Sequence, residues 1–132
     1  MGGQRNGAEG TDRHVLVVDD DEELAAVVAD ALEHVDDRLE TSYTTDPQRA
    51  LAALGRGGID CLVTDYEMPD RDGLELAAAD SSDTPFVLFT QRRDGALERH
   101  TRERGGAYVQ KQVGSDQYRK LATAVHEQAA EC

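Results

Sequence analysis

The sequence predicts an α/β fold, a five-stranded parallel sheet covered by helices on both faces. Three observations carry this. Short apolar runs recur along the chain and alternate with longer stretches of helical periodicity. The first run, residues 14–18, is nearly continuous in apolar character, as in a strand buried on both faces. Neither an internal repeat nor a linker interrupts the 132 residues, a length suited to one core. Alternation of this kind implies a parallel sheet between helical layers, and right-handed crossovers restrict how it is wound.

The elements follow in order. Residues 14–18 form the first strand and run into Asp19 and Asp20. Over residues 21–35, Leu24, Val27, Val28, Ala31, Leu32 and Val35 keep helical spacing. Asp21, Glu22 and Glu23 place negative charge at the start of that helix, where the dipole favours it. Residues 38–44 make a more polar strand suited to a sheet edge. Asp46-Pro47 starts the next helix, with Asp as N-cap and Pro in the first turn. Ala50, Leu51 and Leu54 then face inward, and residues 55–58 end the helix. The strand at 59–64 runs into Asp65. Residues 66–72 are a loop, and Asp72-Gly73-Leu74-Glu75 is a capped helix start. Ser81, Ser82 and Asp83 soon break that helix. A strand at 85–89, a helix near 94–104 and a short strand at 107–110 follow. Ser115 opens the last helix, whose apolar face is Tyr118, Leu121, Ala122, Val125 and Ala129. Residues 1–12 read as a flexible tail and residues 13–130 as the domain.

Composition narrows the function classes. The net charge is −13, from 27 acids against 14 bases, and such a surface repels nucleic acid. Arg92, Arg93, Arg99, Arg102 and Arg104 are punctuated by acids and read as a solvated helix face. Acid excess with two lysines against twelve arginines resembles the proteins of halophilic organisms. High salt screens the self-repulsion of that charge. Apolar runs fall short of the ~20 residues of a membrane span, and the first residues show no secretory signal. Cys61 reads as a small buried hydrophobe, and it forms no metal-ligand spacing with Cys132. These features predict a cytoplasmic protein with no membrane or direct nucleic-acid partner.

Four strand ends carry residues suited to phosphoryl chemistry: Asp19-Asp20, Asp65, Thr90 and Lys111. Ligands of an open parallel sheet bind at the carboxyl ends of its strands. On neighbouring strands these groups would converge as three carboxylates, a hydroxyl and an ammonium. Taken singly, each has a plainer reading. Asp19 to Asp21 would be a helix cap, Asp65 a turn start, Thr90 an ordinary strand end, Lys111 a surface lysine and Tyr108 half-buried packing. His14, His34, His100 and His126 show no ligand spacing and read as surface or strand-edge residues.

Together the order is more telling. Val-Val-Asp19-Asp20-Asp21, Asp65-Tyr-Glu-Met-Pro69-Asp-Arg-Asp-Gly73, Thr90 and Lys111 resemble a response-regulator receiver domain over residues 13–130. The resemblance implies a flavodoxin-like three-layer sandwich with strand order 2-1-3-4-5 and five helices. It implies that Asp65 accepts a phosphoryl group, and that Mg²⁺ is held by Asp19, Asp20, Asp65 and the backbone carbonyl of Glu67. It further implies that Thr90 bonds a phosphoryl oxygen, that Lys111 pairs with its charge, and that Tyr108 is a switch aromatic coupled to Thr90. Gly73 is expected to occupy a turn with φ > 0. A histidine kinase is the implied donor, and a downstream protein partner or fused output module the receiver of the signal. The face around Tyr108 and the last two helices is the expected output surface, and a homodimer stays open. The only catalysis implied is self-catalysed transfer and slow autodephosphorylation.

The chain departs from that family at three places. Gln112 follows Lys111 where the family has a cis proline. A cis bond before a non-proline residue costs ~3 kcal/mol, so a trans bond is expected. Gln91 replaces a small residue beside Thr90, and the helix after Gly73 is about a turn short. The stretch from Lys111 to Tyr118 resembles archaeal receivers joined to sensor histidine kinases, and Cys132 just past a helix is compatible with a piece of such a protein. Glu67 and Arg92 flank the acceptor with opposite charges, and an ion pair between them over Asp65 is expected to slow water attack. Two rivals stand. One is a receiver-like adaptor that is never phosphorylated. The other is a phosphatase of the haloacid-dehalogenase type, which lacks support because Asp19-Asp20-Asp21 continues with Glu22-Glu23 and no cap segment is present.

Overall fold

Five strands alternate with five helices in the computed structural model, which describes residues 12–130. Most of the tail expected at the N-terminus, and Cys132, lie outside the described residues. The strands are β1 (Arg13–Val18), β2 (Leu39–Thr44), β3 (Cys61–Thr64), β4 (Phe86–Thr90) and β5 (Ala107–Gln110). The helices are α1 (Glu22–Val35), α2 (Pro47–Arg56), α3 (Gly73–Ala79), α4 (Gly95–Glu103) and α5 (Asp116–Ala130). All neighbours pair in parallel, in the order β2-β1-β3-β4-β5. This is the strand order that the resemblance implied.

The two-residue period of the strands sorts the core into two layers. Val15 and Val17 of β1, with Cys61, Val63, Val87 and Phe89, pack against α1 and α5. Leu16 and Val18, with Leu62, Phe86 and Leu88, pack against α2, α3 and α4. An apolar run without alternation is therefore what a central strand requires here. Edge strand β2 is more polar and only partly covered, as expected.

Three expectations change. The face of α1 is turned relative to the apolar spacing: Ala25, Val28, Ala29 and Leu32 are buried, while Leu24 is 43% and Val27 50% exposed. Ala25 and Ala29 let the helix axis approach the sheet closely, and Val28 and Leu32 of the predicted stripe share that inner face with them. Strand β3 begins at Cys61 rather than at 59 because Asp60 spends its carboxylate on the chain: its Oδ2 accepts from the His14 N–H at 2.8 Å. Gly73 does not have positive φ; the positive-φ glycines among the described residues are Gly57, Gly58, Gly105 and Gly114. Its requirement is space, since an added Cβ would lie 2.3 Å from the backbone oxygen of Asp65.

Aspartates start four of the helices. Asp21 accepts from the Glu23 and Leu24 amides, Asp46 from Gln48, and Asp94 from Ala96 and Leu97. Asp72 and Glu75 form the capping box predicted for α3, a helix of only 7 residues. So short a helix has few other means of satisfying its first amides. Asp72→Ala is therefore expected to cost about 1 kcal/mol, read as a lower urea midpoint with unchanged slope. An unchanged midpoint would show that the box contributes nothing.

At the end of the sheet away from the strand carboxyl ends, α1 is tied to α5. Arg13 Nε donates to His126 Nδ1 (3.2 Å), leaving Nε2 to face Asp36 Oδ2 at 2.7 Å. Burial pushes the Asp36 carboxyl up, but hydrogen bonds from Arg38 and His126 outweigh it and hold the group below its usual range. The stability this adds is present above that range and lost as pH falls through the lowered value. No helix among the described residues is long and apolar enough to cross a membrane.

Candidate functional site

The parallel register brings the carboxyl ends of β1, β3 and β4 to one edge: Val18 lies beside Thr64, and Thr64 beside Leu88. The residues just past those ends share one pocket. Asp65 N–H donates to the Val18 carbonyl (3.1 Å), and Lys111 N–H to the Thr90 carbonyl (2.8 Å), so the ladder runs on into the site.

One carboxylate oxygen from each of Asp19, Asp20 and Asp65 lies within 4.8 Å of the others. Asp19 is buried, Asp65 half-buried and Asp20 exposed. One oxygen of each inner carboxylate is held by backbone: Asp19 Oδ1 accepts from Asp21 N–H (2.9 Å) and Asp65 Oδ1 from Tyr66 N–H (2.7 Å). The remaining oxygens share one cation. Lys111 Nζ is 3.3 Å from Asp19 Oδ2 and 3.5 Å from Asp65 Oδ2. Burial raises the Asp65 carboxyl above its usual range; Lys111 opposes that, and Asp19 adds to it.

The negative charge thus exceeds what one ammonium offsets. Hard oxygen donors, two of them oriented by backbone and one open to solvent, suit a divalent cation that keeps part of its water. The donor set therefore fits Mg²⁺, with Asp19, Asp20 and Asp65 as the side chains that would hold it.

The other residues singled out in the sequence sit around this cluster. Thr90 is buried at the end of β4, and its Oγ1 accepts from Arg92 N–H at 3.3 Å. The Glu67 carboxylate meets Arg92, with Oε2 3.4 Å from Nη1. The ion pair expected between these two residues is therefore present. The Tyr108 ring packs against the α2–α4 layer, and its hydroxyl donates to the Arg92 carbonyl. The Lys111–Gln112 bond is trans, since the described residues contain no cis peptide. Gln91 is exposed.

Two features were missed. Arg92 holds more than Glu67: its Nε lies 3.5 Å from Asp94 Oδ2, and its guanidinium carbon 5.4 Å from the Tyr66 ring centroid. The Arg-x-Asp spacing was the available signal for the first contact, and nothing in the sequence signalled the second. The buried Gln117 side chain, which bonds the loop after Lys111, was also missed.

Similar proteins agree with this geometry. Residues 15–123 match the family model of the response regulator receiver domain. The transcriptional regulatory protein TrcR of Mycobacterium tuberculosis is 39% identical over 103 residues, covering 76% of this chain and 39% of TrcR. The cyclic di-GMP phosphodiesterase response regulator RpfG of Xanthomonas campestris pv. campestris is 29% identical over 97 residues, covering 70% of this chain and 26% of RpfG. The chain thus spans well under half of either relative. Among solved structures, the chemotaxis protein CheY4 of Vibrio cholerae superposes with a TM-score of 0.75 at 22% identity, covering 86% of this chain and 98% of CheY4. At that identity the likeness carries the fold alone. Strand order, the acidic pocket at the strand carboxyl ends and the family match over most of the chain lead to one conclusion: the chain belongs to the response regulator receiver domain family.

Proposed function

We propose that the chain is a phosphoacceptor switch of a two-component phosphorelay, phosphorylated on Asp65 by a partner histidine kinase with Mg²⁺. The observation that carries this reading is the single ammonium of Lys111 set between the Asp19 and Asp65 carboxylates, with Asp20 beside them. Asp65 Oδ2 attacks phosphorus in line. The Oδ–P bond forms as the P–N bond of the donor phosphohistidine breaks, and the electron pair stays on the imidazole. Lys111 neutralises charge on the phosphoryl oxygens, and Thr90 Oγ1 donates a hydrogen bond to one of them. Asp19, Asp20 and Asp65, with the Glu67 carbonyl as a further ligand, would hold Mg²⁺, which would supply charge stabilisation for a reaction that is mostly positioning and electrostatics. The drawing of Thr90 toward the phosphoryl group frees space for Tyr108, whose hydroxyl leaves the Arg92 carbonyl.

The signal then passes to a protein partner or fused output module at the face of Tyr108, α4 and α5. Leu24, Val27 and the fully exposed Val113 leave apolar surface around the acceptor end, where the phosphodonor would dock. The site is a signalling switch with slow self-dephosphorylation and no other turnover.

The test is intact mass after incubation with acetyl phosphate and Mg²⁺. A single phosphoryl adduct is expected on the native chain and none on Asp65→Asn. No adduct, together with no binding of beryllofluoride, would favour the unphosphorylated adaptor. Steady turnover of an aryl phosphate would favour the phosphatase.

Glu67 and Arg92 cover the acceptor from two loops. Glu67→Ala is expected to speed loss of the phosphoryl group about twofold to fivefold, since an exposed ion pair contributes roughly 0.5–1 kcal/mol. An unchanged dephosphorylation rate would remove the shielding role.

A further inference from the structure

We propose that Gln117 is a positioning residue, its side-chain amide clamping the loop after Lys111 and so fixing where the Lys111 ammonium reaches. The value of that reach rests on the phosphoacceptor reading; the clamp itself does not.

Gln117 lies in the first turn of α5 and is only 9% exposed. Its Oε1 accepts from the Gln112 N–H (3.1 Å), and its Nε2 donates to the Gly114 carbonyl (2.8 Å). One partner is a donor and the other an acceptor, so the amide has one orientation that satisfies both. A buried amide left without these partners would be costly.

The consequence for Lys111 follows from peptide planarity. Each residue has only two soft backbone dihedrals, because the units on either side of its Cα are rigid planes. The unit before Lys111 is held by strand β4, through the Lys111 N–H to the Thr90 carbonyl at 2.8 Å. The unit after it carries the Gln112 N–H, which Gln117 holds. With both planes fixed, the Cα–Cβ direction is fixed too. A long lysine side chain has much rotamer freedom to lose, so a fixed root matters for keeping Nζ at 3.3 and 3.5 Å from its two carboxylates.

Gln112 is exposed, Val113 fully so, and Gly114 has φ +98°. A proline at 112 would set its own φ but would have no N–H to give. The residue after Lys111 therefore keeps its donor, and the helix that follows supplies the matching acceptor.

Lys111 and Lys120 are the two lysines of the chain, so isotope-labelled lysine gives two signals. Lys111 Nζ lies 5.5 Å from the Phe89 ring centroid, while Lys120 is exposed. The ring current separates the Lys111 ε-methylene signal from that of Lys120 in the protein without added metal. In the full chain, Gln117→Met, of similar length but without polar atoms, is expected to move the Lys111 signal at least halfway to that of Lys120. Phosphorylation by acetyl phosphate should slow about tenfold, in keeping with the cost of a small misplacement, with the half-saturating Mg²⁺ concentration unchanged. Gln117→Glu, which keeps the acceptor for Gln112 but loses the donor to the Gly114 carbonyl, is expected to hold the Lys111 signal nearer its native position than Gln117→Met does.

A native Lys111 signal in Gln117→Met would overturn the proposal, as would a Gln117→Glu signal displaced as far as that of Gln117→Met. If Gln117→Met does not fold, amide exchange in the native chain decides: protection of the Gln112 N–H supports the clamp, and exchange at the free-chain rate removes it. A native chain that takes no phosphoryl group but shows the stated Lys111 shifts would sink the acceptor reading and leave the clamp standing.

Discussion

Replacing Asp65 by Asn is expected to abolish phosphorylation and, at neutral pH, to raise the melting temperature. The first effect follows from chemistry: an amide oxygen does not form an acyl phosphate with this donor. The second follows from electrostatics. The Asp65 side chain is 16% exposed, and it shares Lys111 with Asp19. Burial raises its carboxyl above the usual range, with Asp19 adding to the rise against the pull of Lys111. A raised carboxyl means that the folded chain binds a proton more tightly than the unfolded chain. Stability therefore falls as pH rises from the usual carboxylate range through the raised value, and above it the penalty is complete.

Asparagine removes that penalty and keeps much of the local structure. Its oxygen still accepts from the Tyr66 N–H, and Lys111 keeps Asp19 as a partner. The expected gain is about 1 kcal/mol after discounting for solvent at the pocket mouth, or ~4 °C for a domain of this size. Calorimetry across pH checks the cause. The advantage of the variant should vanish well below the usual carboxylate range, where Asp65 is protonated in both states. A variant that melts below the native chain at neutral pH would show that the carboxylate is not a net burden on the fold. Sites that hold uncompensated charge in readiness for a ligand commonly carry such a burden.

The parts of this site that the sequence disclosed are those fixed by chain direction. Asp19, Asp20, Asp65 and Lys111 follow directly on strands, and a parallel sheet puts all such ends on one edge. The helix starts at Asp46 and Asp72 were equally plain, because capping is a local property of a few residues. What stayed hidden depended on rotation and on distance across the fold. Leu24 and Val27 have the spacing of a buried stripe, but Ala25 and Ala29 offer closer approach to the sheet and share the inner face with Val28 and Leu32. Gln117 is an ordinary polar residue in sequence; only folding shows that it meets a free N–H after Lys111. Arg92 could be paired with Glu67 by charge and loop position, whereas its place over the Tyr66 ring has no one-dimensional signal. The sequence also picked out Gly73 correctly as a special glycine but gave the wrong reason for it.

That reason has a sharp consequence. Gly73→Ala is expected to destabilise the fold by about 2 kcal/mol net and to slow phosphorylation with it. Two effects oppose each other. Gly73 opens α3 without positive φ, so alanine suits its backbone and would gain up to ~1 kcal/mol in helix propensity. Against this, its Cβ would sit 2.3 Å from the Asp65 backbone oxygen, 2.8 Å from Leu88 Cδ1 and 3.1 Å from Thr64 Cγ2. Overpacking of that kind costs about 3 kcal/mol, and the nearest atom is backbone, which no rotamer change relieves. The loop between β3 and α3 must move, though the Gly73 N–H holds it by donating to the Tyr66 carbonyl at 2.9 Å. Any such movement carries Asp65 away from Lys111, so stability and phosphorylation rate should fall together. Gly95→Ala is the control. Gly95 also opens a helix, but its Cβ would meet only Arg99 Nη1 at 3.9 Å, so that variant should melt at or above the native temperature. If Gly73→Ala melts alongside Gly95→Ala, close approach to the acceptor loop does not govern this position.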